Sequence, residues 1–241
     1  MRRPYIICHM MASIDGKVTG SFLSSPECAV GAEIYYRINR DIQADGFICG
    51  RVTMNESFTG GWYPDLSKYE PVCGEPGAYK DFIPDELSGF YAIAFDTEGR
   101  LGWKGPKIID PDGDPGYDGA QIIEVLSQQV DARYLGYLQS FGIPYIFAGD
   151  KSIDVPLALK KLKDLFGCKV LLLEGGSIIN GAFVRAGAID EISLVIAPVV
   201  AGREDKPLFM SGEACNFELV SAETEKGNLI LKYKIKNGNK Q

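Results

Sequence analysis

Leu171-Leu172-Leu173-Glu174-Gly175-Gly176-Ser177-Ile178-Ile179 is the stretch that decides the fold. A short apolar run bounded by glycines reads as a buried strand. The chain leaves it through two glycines and enters a helix at Ser177. Glycines let a backbone approach a ligand closely, and a helix N-terminus offers free N–H groups and the positive end of its dipole. The spacing is not G-x-G-x-x-G, because the next glycine is Gly181. A plain strand–helix turn can also use Gly-Gly, so tight packing stays open as the other reading. Glu174 stands at the carboxyl end of the strand. A carboxylate there repels phosphate, so it must face a different part of any ligand.

Working outward, the same pattern recurs twice. Cys49-Gly50-Arg51-Val52-Thr53 again runs strand, glycine, then an arginine and a hydroxyl at a helix start. Arg51 can fork onto a phosphate and Thr53 can cap the helix. Taken alone, this is a capped helix with a surface arginine. Ala12-Ser13-Ile14-Asp15-Gly16-Lys17 follows the apolar run Tyr5 to Ala12. Asp15-Gly16 suits a turn, and Lys17 beside Asp15 predicts a carboxylate–ammonium pair. Three strand ends thus carry polar and glycine residues.

Between these motifs strands alternate with helices. Strands are expected over 5–12, 46–50, 90–95, 107–109, 121–126, 144–149, 169–173 and 192–200. Val30, Ile34, Ile38 and Ile42 give a helix one apolar stripe. Further helices are expected over 53–58, 132–141 and 177–186. Another lies between Asp154 as N-cap and Gly167 as stop, with Pro156 in its first turn. Residues 217–235 read as a terminal hairpin turning at Gly227-Asn228. This alternation predicts an α/β fold, a mainly parallel sheet covered on both faces with an antiparallel C-terminal edge. One domain over 1–241 is the simplest division. Residues 59–89, with Trp62, Tyr63, Tyr69, Tyr79 and Phe82 among glycines and prolines, are expected to form an ordered lid or a dimer arm.

Composition narrows the function classes. The 241 residues carry 25 Lys and Arg against 32 Asp and Glu, a net charge of −7. That disfavours a nucleic-acid or anionic-membrane binder. No stretch approaches the ~20 apolar residues of a membrane helix. The six cysteines show no C-x-x-C spacing, and Cys8, Cys49 and Cys168 read as buried hydrophobes. A reducing cytoplasm is the expected compartment. The single histidine, His9, reads as a satisfied core residue, so no metal site is expected. Asp110, Asp112, Asp114 and Asp118 approach calcium-loop spacing, but Pro115 and Gln121 occupy the glycine and bidentate positions, so a solvated acidic loop is expected. Trp62 and Tyr63 can stack on a planar ring, although core or interface packing is the commoner use.

The three motifs, in this order, resemble the reductase domain of bacterial riboflavin-biosynthesis deaminase/reductase proteins, within the dihydrofolate-reductase-like superfamily. The resemblance continues in Ala44-Asp45-Gly46-Phe47-Ile48, in Asp190-Glu191-Ile192 and in Ala197-Pro198-Val199-Val200-Ala201-Gly202. It implies about nine strands, NADPH as hydride donor, a homodimer and a phosphorylated pyrimidine substrate whose ribose is reduced to the ribityl form. By matching motif it puts Ala12, Gly50, Arg51, Thr53, Gly175, Gly176, Ser177 and Ile178 at the cofactor. It puts Lys17 and Glu174 at the reaction and Asp15, Arg40 and Glu56 at the substrate. Two departures stand out. The zinc deaminase motifs are absent, and the family's Asp-Asp-Pro stretch is replaced by Asn55-Glu56-Ser57-Phe58. The Glu56-Ser57 pair resembles dihydrofolate reductases, which keeps a pterin or other planar heterocycle open as substrate. A catalytically silent nucleotide-binding protein is the third reading.

Overall fold

The computed structural model describes residues 3–74, 78–87 and 89–236. In chain order the elements are β1 (Tyr5–Ala12), α1 (Pro26–Ile42), β2 (Gly46–Gly50), α2 (Arg51–Met54), β3 (Tyr91–Phe95), β4 (Gln121–Leu126), α3 (Ala132–Ser140), β5 (Tyr145–Phe147), α4 (Val155–Phe166), β6 (Val170–Leu173), α5 (Ser177–Arg185), β7 (Glu191–Ile196), β8 (Phe217–Glu225) and β9 (Asn228–Ile235). Among the described residues there are nine strands, and their pairings are parallel except β7 with β9 and β9 with β8, which are antiparallel. This is the expected α/β architecture, a mainly parallel sheet with an antiparallel C-terminal edge. The chain divides into two compact units, one over 1–4 and 45–169, the other over 5–44 and 170–241. No helix among the described residues is long and apolar enough to cross a membrane.

In the first unit the strands run in the order β5-β4-β3-β2. All pairs are parallel, with Gly46 opposite Tyr91, Phe95 opposite Val125 and Leu126 opposite Phe147. Continuous apolar runs suit strands buried on both faces, and β3, β4 and β5 are buried along their whole length. α4 starts and stops where its caps dictate. The Asp154 carboxylate accepts from the Leu157 N–H, and Gly167 takes the left-handed conformation at φ 72°. Two expectations need correction. Residues 107–109 contribute only an isolated bridge, Lys107 to Gln121. The helix after β2 begins at Arg51 and widens over Asn55–Thr59.

The described part of 59–89 packs on its own unit, while residues 75–77 and 88 lie outside the described residues. Phe82 exchanges backbone hydrogen bonds with Tyr145 at 2.9 and 3.0 Å, closing the free edge of β5. Tyr79 stacks on Phe147 and is held by the Gln128 side chain through both its N–H and its carbonyl. Tyr63 stacks on Tyr134 and donates to the Gly99 carbonyl. Tyr63, Tyr79 and Phe82 are therefore used in packing, while Trp62 is exposed.

One buried acid was hidden inside an apolar strand. Glu124 on β4 is fully buried, accepting from the Trp103 indole and the Tyr134 hydroxyl. Burial first, and then the charge of Asp96, pushes its carboxyl well above the usual carboxylate range. Burial also raises Asp96, opposed by the N–H groups of Arg100 and Leu101. Folded Glu124 thus keeps a proton that the unfolded chain releases above about pH 4.5. Its contribution to stability is intact below that pH and is lost as pH rises towards the folded value. We expect Glu124→Gln to flatten the fall of Tm between about pH 5 and 8 and to raise Tm by a few degrees at the upper end. Parallel Tm–pH curves for the two proteins would contradict this assignment.

In the second unit the order is β6-β1-β7-β9-β8. Cys8 lies opposite Leu173, and Ala12 opposite Ile196. β7 stops at Ile196, short of the expected 200, before Pro198, which has no N–H to donate. The hairpin turns one residue earlier than expected. Lys226 and Gly227 have φ 48° and 83°, the paired left-handed conformations of a type I′ turn, and Asn228 already belongs to β9. α1 packs Ile34 against Val195 and Ile230. His9 is a satisfied core residue: its ring contacts the Ser193 hydroxyl at 3.0 Å and the Tyr35 carbonyl at 2.9 Å and stacks on Tyr35. Burial lowers its pKa to about 4, so it stays neutral.

Candidate active site

In the second unit the site grows from the carboxyl ends of β1 and β6. Leu171, Leu172 and Leu173 are buried, so the chain delivers Glu174 into the protein rather than to solvent; it is 7% exposed. From α1, the Asn39 side-chain N–H donates to Glu174 Oε1 at 2.6 Å. Burial, and then the Glu174 charge, pushes the thiol of neighbouring Cys8 far up, so Cys8 is neutral. Gly175 has φ 96°, and a Cβ there would stand 3.1 Å from the Met10 Cε. Only glycine suits that conformation with Met10 so close. The Gly175–Gly176 peptide is cis.

Gly176 then caps α5 without a side-chain hydrogen bond. The first intrahelical bond runs from the Asn180 N–H to the Gly176 carbonyl at 3.1 Å. The three N–H groups before it are the donors that an α-helix start leaves over. The Ser177 hydroxyl, 3% exposed, has no hydrogen-bond partner among the described residues. Ile178 is exposed beside it. The helix is fixed from behind: the Met210 N–H donates to the Ser177 carbonyl, and the Asn180 amide to the Leu208 carbonyl, both at 3.0 Å.

β1 ends at buried Ala12, and the turn after it is organised by Ser13. Its hydroxyl donates to Asp15 Oδ1 at 2.7 Å and accepts from the Lys17 N–H at 3.0 Å. Asp15 Oδ1 also accepts from the Ala201 N–H at 2.9 Å. That N–H first, and then the Ser13 hydroxyl, holds the exposed Asp15 carboxyl below its usual range. The expected Asp15–Lys17 pairing is not the contact formed: the Lys17 ammonium donates instead to the Asp205 carbonyl at 2.8 Å. An ammonium on one carbonyl still has N–H donors to spare. Arg40 lies exposed on the last turn of α1, next to buried Asn39.

In the first unit Gly50 is the N-cap of α2, again with no side-chain cap. Thr53 is inside the helix, so it is not the cap that its hydroxyl suggested. The positive charge of Arg51 favours ionised Asp96, placing the guanidinium's field over the carboxyl end of β3. Glu56 is exposed on the wide turn that follows. The Asp110–Asp118 loop turns its carboxylates onto its own backbone: Asp110 accepts from the Asp112 and Asp114 N–H groups, and Asp118 from that of Asp110.

Asn39 and Ser13 were not singled out from sequence. Ser13 was visible only as part of a turn. Asn39 carried a signal, since it continues a second buried line on α1 from Cys28 and Gly31, where an amide has no reason to sit without a partner.

In the second unit an uncapped helix start and a buried carboxylate follow the end of a parallel strand, the place where α/β folds bind ligands. Comparison with known proteins gives the family. A sequence model of the RibD C-terminal domain matches residues 118–231. The chain is 34% identical over 219 residues to the 2,5-diamino-6-ribosylamino-4(3H)-pyrimidinone 5′-phosphate reductase of Aquifex aeolicus, covering 88% of this chain and 85% of that one. It is 33% identical over 98 residues to the enzyme of the same name from Methanothermobacter thermautotrophicus, a match spanning 38% of this chain and 45% of the relative. RibD of Acinetobacter baumannii shares the fold, with a TM-score of 0.65 at 17% identity, over 98% of this chain and 59% of that one. The chain belongs to the RibD C-terminal domain family, the reductases of riboflavin biosynthesis.

Proposed function

We propose that this protein reduces the ribose of a phosphorylated ribosylaminopyrimidine to the ribityl chain, with NADPH as reductant. The observation that carries this reading is a buried, hydrogen-bonded Glu174 immediately before an uncapped helix start with an unpartnered Ser177 hydroxyl. The substrate class comes from the name of the Aquifex relative. The donors fit a dinucleotide. The left-over N–H groups of α5 and the Ser177 hydroxyl suit a pyrophosphate, and Gly175 and Gly176 let it approach. Ala12 and Ile178 lie on the elements that flank that approach. By the resemblance to the family, Gly50, Arg51 and Thr53 also belong to the cofactor, with the Arg51 guanidinium suited to a phosphate.

The cofactor would supply the hydride. The protein's part is the proton. Opening the sugar breaks the C1′–O4′ bond, the nitrogen lone pair forms the C1′=N bond, and O4′ takes a proton. Hydride at C1′ returns the pair to nitrogen, so one hydride and one proton enter in all. Glu174 gives the proton to O4′, and Lys17 steadies the developing oxygen charge or the substrate phosphate. Asp15, Arg40 and Glu56 complete the substrate contacts. The reading extends to a homodimer in the cytoplasm, supported by the resemblance to the family.

Glu56-Ser57, in place of Asp-Asp-Pro, favours one second reading, reduction of a pterin. Turnover of a ribosylaminopyrimidine 5′-phosphate beside a dihydropterin decides between them. Arg51 gives an independent check on the cofactor. Arg51→Ala is expected to weaken NADPH about tenfold and NADH only a few-fold, because NADH lacks the 2′-phosphate. Equal losses would remove Arg51 from that phosphate.

A further inference from the structure

We propose that Asn39 is the positioning residue for Glu174, fixing which carboxyl oxygen carries the catalytic proton. This rests on the reading of Glu174 as the proton donor. The Asn39 amide donates to Oε1 at 2.6 Å, and both side chains are buried. In a protonated carboxyl the carbonyl oxygen is the stronger acceptor, so a donor held on Oε1 favours the proton on Oε2. The amide is attached to α1, a 17-residue helix packed on the core through Ile34, so its aim is rigid.

The chemistry of the partner matters as much as its place. A lysine or arginine at this distance would hold Glu174 ionised and block protonation. A neutral amide orients the carboxyl and lets it cycle. Cys8 on the adjoining strand interacts with Glu174, and burial keeps its thiol neutral, so Cys8 adds no charge there. Because the amide favours the charged carboxylate, removing it shifts protonation to higher pH.

The test uses Asn39→Leu, similar in size without the donor, and Asn39→Gln, which restores an amide. Expected for Asn39→Leu are a loss in kcat of about tenfold to a hundredfold, NADPH affinity within about threefold, and a kcat–pH profile moved to higher pH. The carbon NMR titration of the Glu174 carboxyl, read without substrate, moves the same way. Asn39→Gln recovers part of the loss. Unchanged kcat and an unmoved titration in Asn39→Leu overturn the proposal, as does a loss confined to Tm or to NADPH affinity. If Asn39→Leu does not fold, Asn39→Asp keeps the shape and replaces the donor by a like charge. Its Glu174 titration must move to higher pH, and one that stays put overturns the proposal. Glu174→Gln separates the two levels. Full turnover in Glu174→Gln sinks the reading of Glu174 itself, whereas an inactive Glu174→Gln beside a wild-type Asn39→Leu sinks the positioning role alone.

Discussion

Glu174→Gln is expected to slow hydride transfer by about a hundredfold or more, with NADPH affinity held within a few-fold. The substitution keeps the size of the side chain and can keep its acceptor toward Asn39. What it removes is the acidic proton. Glu174 precedes the helix whose N–H groups would hold the pyrophosphate, so the cofactor-binding donors are untouched. Single-turnover rates and an NADPH binding titration on the same preparation check both halves. Full turnover in the variant would remove Glu174 from the proton path. Loss of NADPH binding in parallel would make it a structural residue of the loop.

Gly181→Ala is expected to be the most damaging of the small substitutions, costing about 2–4 kcal/mol and lowering Tm by roughly 5–15 °C. A Cβ at this position on α5 would lie 1.8 Å from the Met210 carbonyl oxygen. That neighbour is backbone, so relief requires moving the 208–210 segment away from the helix. The same segment anchors α5 through Met210 to Ser177 and Leu208 to Asn180. The variant should therefore lose NADPH affinity as well as stability. A wild-type Tm, measured by calorimetry, would mean that the close approach of α5 to this segment is wrong.

Much of the fold could be read from local rules. α4 carries its start in Asp154 and Pro156 and its stop in Gly167, and all three act as expected. β1 and β2 are apolar runs with the same bounds in sequence and structure. The strand–Gly-Gly–helix passage at 171–177 is legible because strand, glycine and helix signals meet within a few residues. The misreadings share a cause: the deciding partner lies elsewhere in the chain. Lys17 was paired with its neighbour Asp15, but its ammonium takes the backbone carbonyl of Asp205, 188 positions away. No composition or spacing marks a carbonyl as an ammonium's partner. Thr53 was read as a cap, yet the preceding glycine already starts the helix. The hairpin turn was displaced by one because Lys226 takes a left-handed conformation that its residue type does not advertise.

The site followed the same division. Glu174, Gly175, Gly176 and Ser177 were visible as a motif. The resemblance supplied the reductase reading, which the Aquifex relative bears out at the level of family. Asn39 and Glu124 were not recognised, because a polar residue on a buried face shows its purpose only when its partner is seen. For Asn39 that partner is Glu174, and for Glu124 it is the Trp103 and Tyr134 pair.

The central claim is tested most directly by following oxidation of NADPH with two substrates side by side, 5-amino-6-ribosylaminouracil 5′-phosphate and the 2,5-diamino-6-ribosylamino-4(3H)-pyrimidinone 5′-phosphate named for the Aquifex relative. The account predicts turnover of at least one, with the ribityl compound as product, and the preferred substrate shows whether reduction follows or precedes deamination. NADPH bound but not oxidised with either compound would contradict it.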